Sequence, residues 1–349
     1  MADYAAALLC EIEMEAPAYD DYEVRTVFFG GGTPSVLAAE DVERILCKLR
    51  EMFHFAGNNE VEITIEVNPG TITGVVLKKY QEIGINRISF GLQSAHDDEL
   101  KLLGRIHTYG EFLSLYQEAR ALGFGNLNID LISALPNQSF ASFKETLRRV
   151  TSLKPEHISA YSLIIEPNTP FYEKYAFMAT EAGQMAAEEK ERKIYYHTKS
   201  YLESKNIMRY EISNYAKPGF ECQHNLTYWR RGDYVGFGLG AASLVDNKRW
   251  SNSSDLKMYN LARTSLKEKL QVLSLKEQME EFMFLGLRLT EGININHFKN
   301  IFAQDINECY GSVLLKLKEQ NLIQISDHII LTGYGVDVSN YVFTQFLWD

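Results

Sequence analysis

The chain is short of cysteine, of basic charge and of long apolar runs, and each shortage excludes a class of function. Its four cysteines, Cys10, Cys47, Cys222 and Cys309, are far apart. They form no C-x-x-C or zinc-type spacing, which reads as reduced thiols in a cytoplasmic protein. Lys and Arg number 35 against 46 Asp and Glu, a net charge of −11. That balance argues against a nucleic-acid partner, because phosphate binding needs a basic face. No apolar run approaches the roughly 20 residues of a transmembrane segment, and no charged-then-apolar signal peptide is present. What remains is the composition of an ordinary soluble protein, 46% hydrophobic and 23% charged. Its length suits one large domain and a smaller one.

The stretch Val27-Phe-Phe-Gly-Gly-Gly-Thr-Pro34 reads as an apolar strand ending in three glycines. Adjacent residues without Cβ atoms let the backbone approach a ligand and present several N–H groups at once. Pro34 then sets φ for the turn into a helix expected over 38–53. A strand, a bare backbone cradle and a helix form the binding corner of many parallel α/β proteins; a plain tight turn has the same residues.

A helix is expected over 3–16, with Leu8, Leu9 and Ile12 on one side. Strand-like runs follow at Thr26–Phe29, Val61–Val67, Arg87–Gln93, Asn126–Ile132 and His157–Ile164. Helical stretches near 73–83, 109–122 and 139–152 separate them at the rough 30-residue period of βαβ units, giving α/β with a parallel sheet. The strands alternate instead of being apolar throughout. Ile63, Ile65 and Val67 oppose Glu62, Thr64 and Glu66; Ile88, Phe90 and Leu92 oppose Arg87, Ser89, Gly91 and Gln93; Leu127, Ile129 and Leu131 oppose Asn126, Asn128 and Asp130. One apolar face per strand suits an outer layer of helices. The polar face then looks into a lumen holding water or a polar ligand, as in an open barrel.

Glu66, Gln93 and Asp130 fall at the C-terminal sides of their strands, where α/β folds place ligands. With Gly30–Gly32 they would surround one cavity mouth. A carboxylate there can bind an ammonium or a ribose hydroxyl, and an amide can serve donors or acceptors. Arg105 is either a clamp for a carboxylate or a solvated surface arginine, and Glu66 either a ligand or a loop-capping residue.

Phe29-Gly-Gly-Gly-Thr-Pro34, Ile65-Glu-Val-Asn-Pro69, Ser89-Phe-Gly-Leu-Gln-Ser94, Leu103-Gly-Arg-Ile-His107 and Asn128-Ile-Asp-Leu-Ile132 resemble, in order and spacing, the motifs of oxygen-independent coproporphyrinogen oxidases and their HemW-type relatives. These are radical S-adenosylmethionine proteins, and the resemblance spans essentially the whole chain. It implies a partial (β/α)6 barrel. Gly31, Gly32 and Thr33 would approach the methionyl part of S-adenosylmethionine, and Glu66, Gln93, Arg105 and Asp130 would hold its polar groups.

The second half is similar to one branch of that family. His224-Asn-Leu-Thr-Tyr-Trp229 matches the H-N-x-x-Y-W signature of HemW-type heme chaperones, which the true oxidases lack. The resemblance implies heme as cargo, handled by His224, Asn225, Tyr228 and Trp229, and a heme-accepting protein as partner. By chemistry alone His224 is a metal-ligand candidate or a hydrogen-bonded histidine in a structural turn, and Tyr228 and Trp229 are flat apolar partners. The segment is expected to sit beyond the barrel strands, apart from the S-adenosylmethionine pocket. Relatives usually carry histidine where this chain has Ala242.

The expected organisation is a barrel over 1–206, a connecting segment over 207–264 and a helical unit over 265–349. In the last, helices over 277–289 and 313–320 precede a hairpin of Leu322–Ile325 and His328–Leu331, a winged-helix-like α+β pattern. The largest departure from the family is the C-x-x-x-C-x-x-C loop that would hold a 4Fe-4S cluster, which has no counterpart here. Truncation, with loss of the first barrel strand, is the expectation that accounts for the retained pocket residues. Two competing functions are oxidative decarboxylation of coproporphyrinogen and a cluster-free binding scaffold on a degenerate barrel.

Overall fold

The structure, a computed structural model, describes residues 2–348 except 58–59, 164–169, 176–180 and 263–265. Five parallel strands make up one side of a seven-stranded sheet: β1 (Thr26–Phe29), β2 (Glu62–Val67), β3 (Arg87–Gln93), β4 (Leu127–Ser133) and β5 (His157–Ser162). Two short strands, β6 (Met208–Arg209) and β7 (Asn214–Ala216), extend it in the order β1-β2-β3-β4-β5-β7-β6, with β7 antiparallel to β5. The expected end of β5 at Ile164 lies outside the described residues. The fold is α/β with a parallel-dominated sheet, as the spacing of strands and helices predicts.

The alternation of the strands translates directly into layers. Ile63, Ile65, Val67, Ile88, Phe90, Leu92, Leu127, Ile129 and Leu131 are buried in one core cluster. The helices Ala39–Met52, Gly74–Glu82, Tyr109–Ala121 and Phe140–Ser152 cover that face with Val42, Leu46, Leu77, Phe112, Phe143 and Leu147. Each helix starts and stops within a residue of its sequence expectation, because the signals are local. Thr108 and Glu111 form a capping box and the Ser139 hydroxyl accepts from the Ser142 N–H. The N-terminal helix Ala2–Glu15 buries Leu8 and Ile12, with Leu9 only half-buried. Its Glu11 carboxylate is buried and accepts from the Gly238 N–H, the Asn252 amide and the Tyr259 hydroxyl.

A second core, from Met279 to Phe346, belongs to the C-terminal unit. Helix Leu275–Gly286, strand Ile293–Asn294, helices Ile295–Phe302 and Ile306–Glu319, and the hairpin Ile323–Ile325/His328–Leu331 follow one another in winged-helix order. Helix Ile306–Glu319 begins well before the expected Val313, since the Asp305 carboxylate caps it at the Asn307 N–H. No helix among the described residues is long and apolar enough to cross a membrane.

Candidate functional site: one cavity in the barrel lumen

The polar faces of β2 to β5 line a cavity of about 390 Å³, walled by Phe28, Glu66, Arg87, Ser89, Gln93, Asn128, Asp130, Ser159, Tyr161 and Asn225. Glu66, Gln93 and Asp130 therefore meet, as their strand-end positions require. The glycine run lies beside them: the Gly31 N–H donates to Glu66 Oε2 at 3.2 Å. Gly31 and Gly32 have φ of 78° and 64°, which explains glycine at both. Gly30 is required by space, since a Cβ there would stand 2.4 Å from the Phe28 ring.

Asn68 joins the remaining parts. Its amide donates to Thr33 Oγ1 at 3.1 Å, and its oxygen accepts from Arg105 Nη1 at 2.9 Å. Arg105 and the glycine loop are thus tied through one residue. Gln93 owes its direction to a register shift between Phe90 and Gln93, where its own φ reaches 73°. A Cβ on Gly91 would fall 2.7 Å from Asn68 Oδ1 and 3.2 Å from Gln93 Nε2, so the missing side chain is what lets both amides approach.

Behind them runs a buried network. Asp130 accepts from Ser89 at 3.0 Å and from Asn128 at 2.8 Å. The Asn128 oxygen is 2.6 Å from His157 Nδ1, whose Nε2 is 2.9 Å from the Tyr210 hydroxyl. Burial raises the pKa of Asp130. Burial, then repulsion from Asp130, raises that of Glu66. Two carboxyls in one cleft with raised pKa values attract a cation, because a bound positive charge restores their ionisation. Ser89 and Asn128 were placed on the lumen face from sequence but not as site residues; Asn68, two residues past Glu66, and Ser159 were not singled out.

The 224–229 segment does not lie apart from this pocket. It is the short helix Gln223–Trp229, and it packs against the lumen side of β1. Glu62, at the start of β2, accepts from the Gln223 and His224 N–H groups at 3.2 Å each. The His224 ring stacks on Phe28; its Nδ1 is 3.0 Å from Thr26 Oγ1 and its Nε2 2.9 Å from the Tyr228 hydroxyl. Asn225 reaches the cavity wall. Trp229 instead lies under the Arg288 guanidinium, 4.2 Å from the ring centroid. The expectation of two separate sites fails because β1 offers Thr26 and Phe28 as an inner surface that the helix covers. Ala242 is exposed at the start of strand Ala242–Val245 and is not among the cavity-lining residues.

These residues suit S-adenosylmethionine: a bare backbone loop, two carboxyls for a cationic ligand and an arginine for its carboxylate. They do not suit a 4Fe-4S cluster. Cys10, Cys47, Cys222 and Cys309 are on separate elements, and among the described residues no three His, Cys, Asp or Glu side chains gather as a metal site.

The radical SAM superfamily model matches residues 8–150, and the HemN C-terminal domain model matches residues 273–336. A curated relative named heme chaperone HemW, from Bacillus subtilis, is 35% identical over 331 residues, 94% of this chain and 86% of that protein. Its counterpart from Lactococcus lactis is 35% identical over 96% of this chain and 88% of its own length. Among solved structures, coproporphyrinogen III oxidase (HemN) from Escherichia coli superposes with a TM-score of 0.82 over 98% of this chain and 82% of its own. At 24% identity that likeness speaks for the fold alone.

Proposed function

The chain belongs to the HemW family of radical S-adenosylmethionine proteins, and from that premise we propose that it binds heme and passes it to a heme-accepting protein in the cytoplasm. The observation that carries the reading is the position of the H-N-x-x-Y-W helix against the cofactor-type cavity. His224 is the iron ligand in this proposal. Burial, then the nearby Arg87, lowers its pKa to about 4. The imidazole is therefore neutral at physiological pH, the form that ligates iron. Its cost is one exchanged hydrogen bond, Tyr228 to Nε2.

S-adenosylmethionine belongs to the family's cofactor set and would occupy the cavity. Gly31, Gly32 and Thr33 would cradle its methionyl end. Glu66 and Asp130 would face its positive groups, and Gln93 and Arg105 would fix its polar ends. When bound, the cofactor supplies a reducible sulfonium; the residues here bind it, orient it and exclude water. In this arrangement the barrel, residues 1–206, holds the cofactor, 207–264 handles the heme and 265–349 covers the site.

A heme titration followed through the Soret band tests the reading. The wild type should bind with a histidine-type spectrum, and His224→Ala should bind at least tenfold more weakly with a displaced band. The same spectrum and affinity in both would remove His224 as ligand.

A further inference from the structure

The geometry points to a carboxylate-binding subsite at the inner end of the cavity, formed by Arg87 and Asn225. Arg87 opens β3 and shares the lumen face with Ser89 and Gln93, so it enters the cavity from the N-terminal side of the strand, below the mouth residues. It is only 2% exposed, yet it makes no hydrogen bond or ion pair among the described residues, and its Nε has no acceptor. A buried guanidinium without a partner is strongly disfavoured, so it points to something else that completes it.

The protein's own acceptors nearby are already committed. The Glu62 oxygens take the N–H groups of Gln223 and His224 and the Cys222 thiol. The Asp130 oxygens take Ser89 and Asn128. Arg87 is close enough for its charge to act on Cys222, Glu62, Tyr210 and Asp130. None of them closes on it as an ion pair. Asn225, on the covering helix, lines the same cavity, and its carboxamide likewise makes no hydrogen bond among the described residues. A planar fork of donors and a neutral amide lining one cavity together suit one carboxylate. A phosphate dianion fits poorly, because Glu62, Glu66 and Asp130 surround the position with acids. The neighbouring Phe28 ring gives an apolar wall for a short alkyl stem.

Two ligands of the proposed function carry such a group: the propionate arm of heme, which is placed nowhere else, and the methionyl end of S-adenosylmethionine, for which Arg87 would compete with the Arg105 placement proposed above. The subsite itself stands on the cavity and not on either ligand. It is tested with propionate as the probe and propionamide as the uncharged control, by saturation-transfer NMR on the full chain. Propionate should bind the wild type, and propionamide should not. Arg87→Gln and Asn225→Asp should each weaken propionate at least tenfold, and Arg87→Lys should fall between, since it keeps the charge and loses the fork. Circular dichroism checks folding; should Arg87→Gln not fold, Arg87→Lys and Asn225→Asp decide. Equal signals from propionate and propionamide, or propionate binding unchanged in the variants that fold, overturn the subsite.

Displacement of propionate then identifies the source. Loss of the signal with iron protoporphyrin IX but not with its dimethyl ester assigns the heme propionate. Loss with S-adenosylmethionine but not with its decarboxylated form assigns the methionyl carboxylate. If neither displaces propionate, the subsite takes the carboxylate of another ligand, and the heme reading is decided separately by the Soret titration of His224→Ala.

Discussion

Phe28 and His224 lie face to face, with ring centroids 4.6 Å apart and planes within 16°. Phe28 belongs to the first strand of the sheet and His224 to a helix formed almost two hundred residues later. The stack therefore fixes where the H-N-x-x-Y-W segment meets the barrel, and it makes both residues part of one wall. It also separates two roles for His224 that a single substitution confuses, structural contact and iron ligand.

Tyr228→Phe separates them. It removes the partner of His224 Nε2 and leaves the stack and the Thr26 contact in place. A ligand role predicts heme affinity equal to or a few-fold above that of the wild type, because ligation no longer has to break that bond. His224→Ala should instead lose both heme affinity and about 1–3 kcal/mol of stability from its contacts. Soret titrations and urea midpoints on the two variants give both numbers. Weaker heme binding in Tyr228→Phe would contradict the exchange.

The depressed pKa of His224, about 4, carries a sign for stability. The unfolded imidazole titrates near 6.5, so between those values the unfolded chain binds the proton and the folded chain does not. The contribution of this site is full above pH 6.5 or so and lost as pH falls toward 4, on the order of 3 kcal/mol in all. His157, fully buried and also lowered by burial, acts in the same direction. Glu66 and Asp130, both raised, act oppositely, and their destabilising charge is relieved on acidification. Urea unfolding from pH 7 to 4 should show His224→Ala losing less stability than the wild type across that window.

The raised carboxyls also make cofactor binding pH-dependent. A cationic ligand favours their ionised forms, so S-adenosylmethionine should release protons on binding and bind more tightly as pH rises through the weakly acidic range. Calorimetry in buffers of different ionisation enthalpy measures the release. Glu66→Gln should reduce it and weaken binding roughly tenfold. Proton release unchanged in that variant would assign it to another group.

Much of the site was legible in sequence because it rests on short-range rules. A period of two put Glu66, Gln93 and Asp130 on the lumen face, and three glycines after β1 marked the backbone cradle. Asn68 escaped because its role lies in whom it joins, Thr33 on one side and Arg105 on the other. The location of the 224–229 helix escaped for a similar reason. It depends on Glu62 reaching the backbone of Gln223 and His224 and on Phe28 receiving the imidazole, contacts that no local pattern encodes. Strands β6 and β7 are too short to show a period, and only pairing with β5 makes them strands.

The C-terminal unit is tied to this wall through Arg288. Its guanidinium covers the Trp229 ring and donates to Glu211 Oε2 at 3.4 Å. Glu211 is fully buried, and burial raises its pKa against the opposing pull of Arg288. Arg288→Met keeps an apolar stem beneath the tryptophan and removes the charge. Glu211 would keep the Ser213 N–H and the Asn214 amide as donors, so it should meet the loss by taking up a proton more readily. The expected cost is about 1–3 kcal/mol at neutral pH, smaller at acidic pH where the carboxyl is already neutral. Arg288→Met with Glu211→Gln should recover part of it, because the pair is then replaced by neutral groups. A double-mutant cycle in urea at pH 7.5 and pH 5.5 measures the coupling. A coupling near zero at both pH values would mean that Trp229 stacking alone holds Arg288, and that the C-terminal unit meets the heme-type segment through the ring and not through the buried carboxylate.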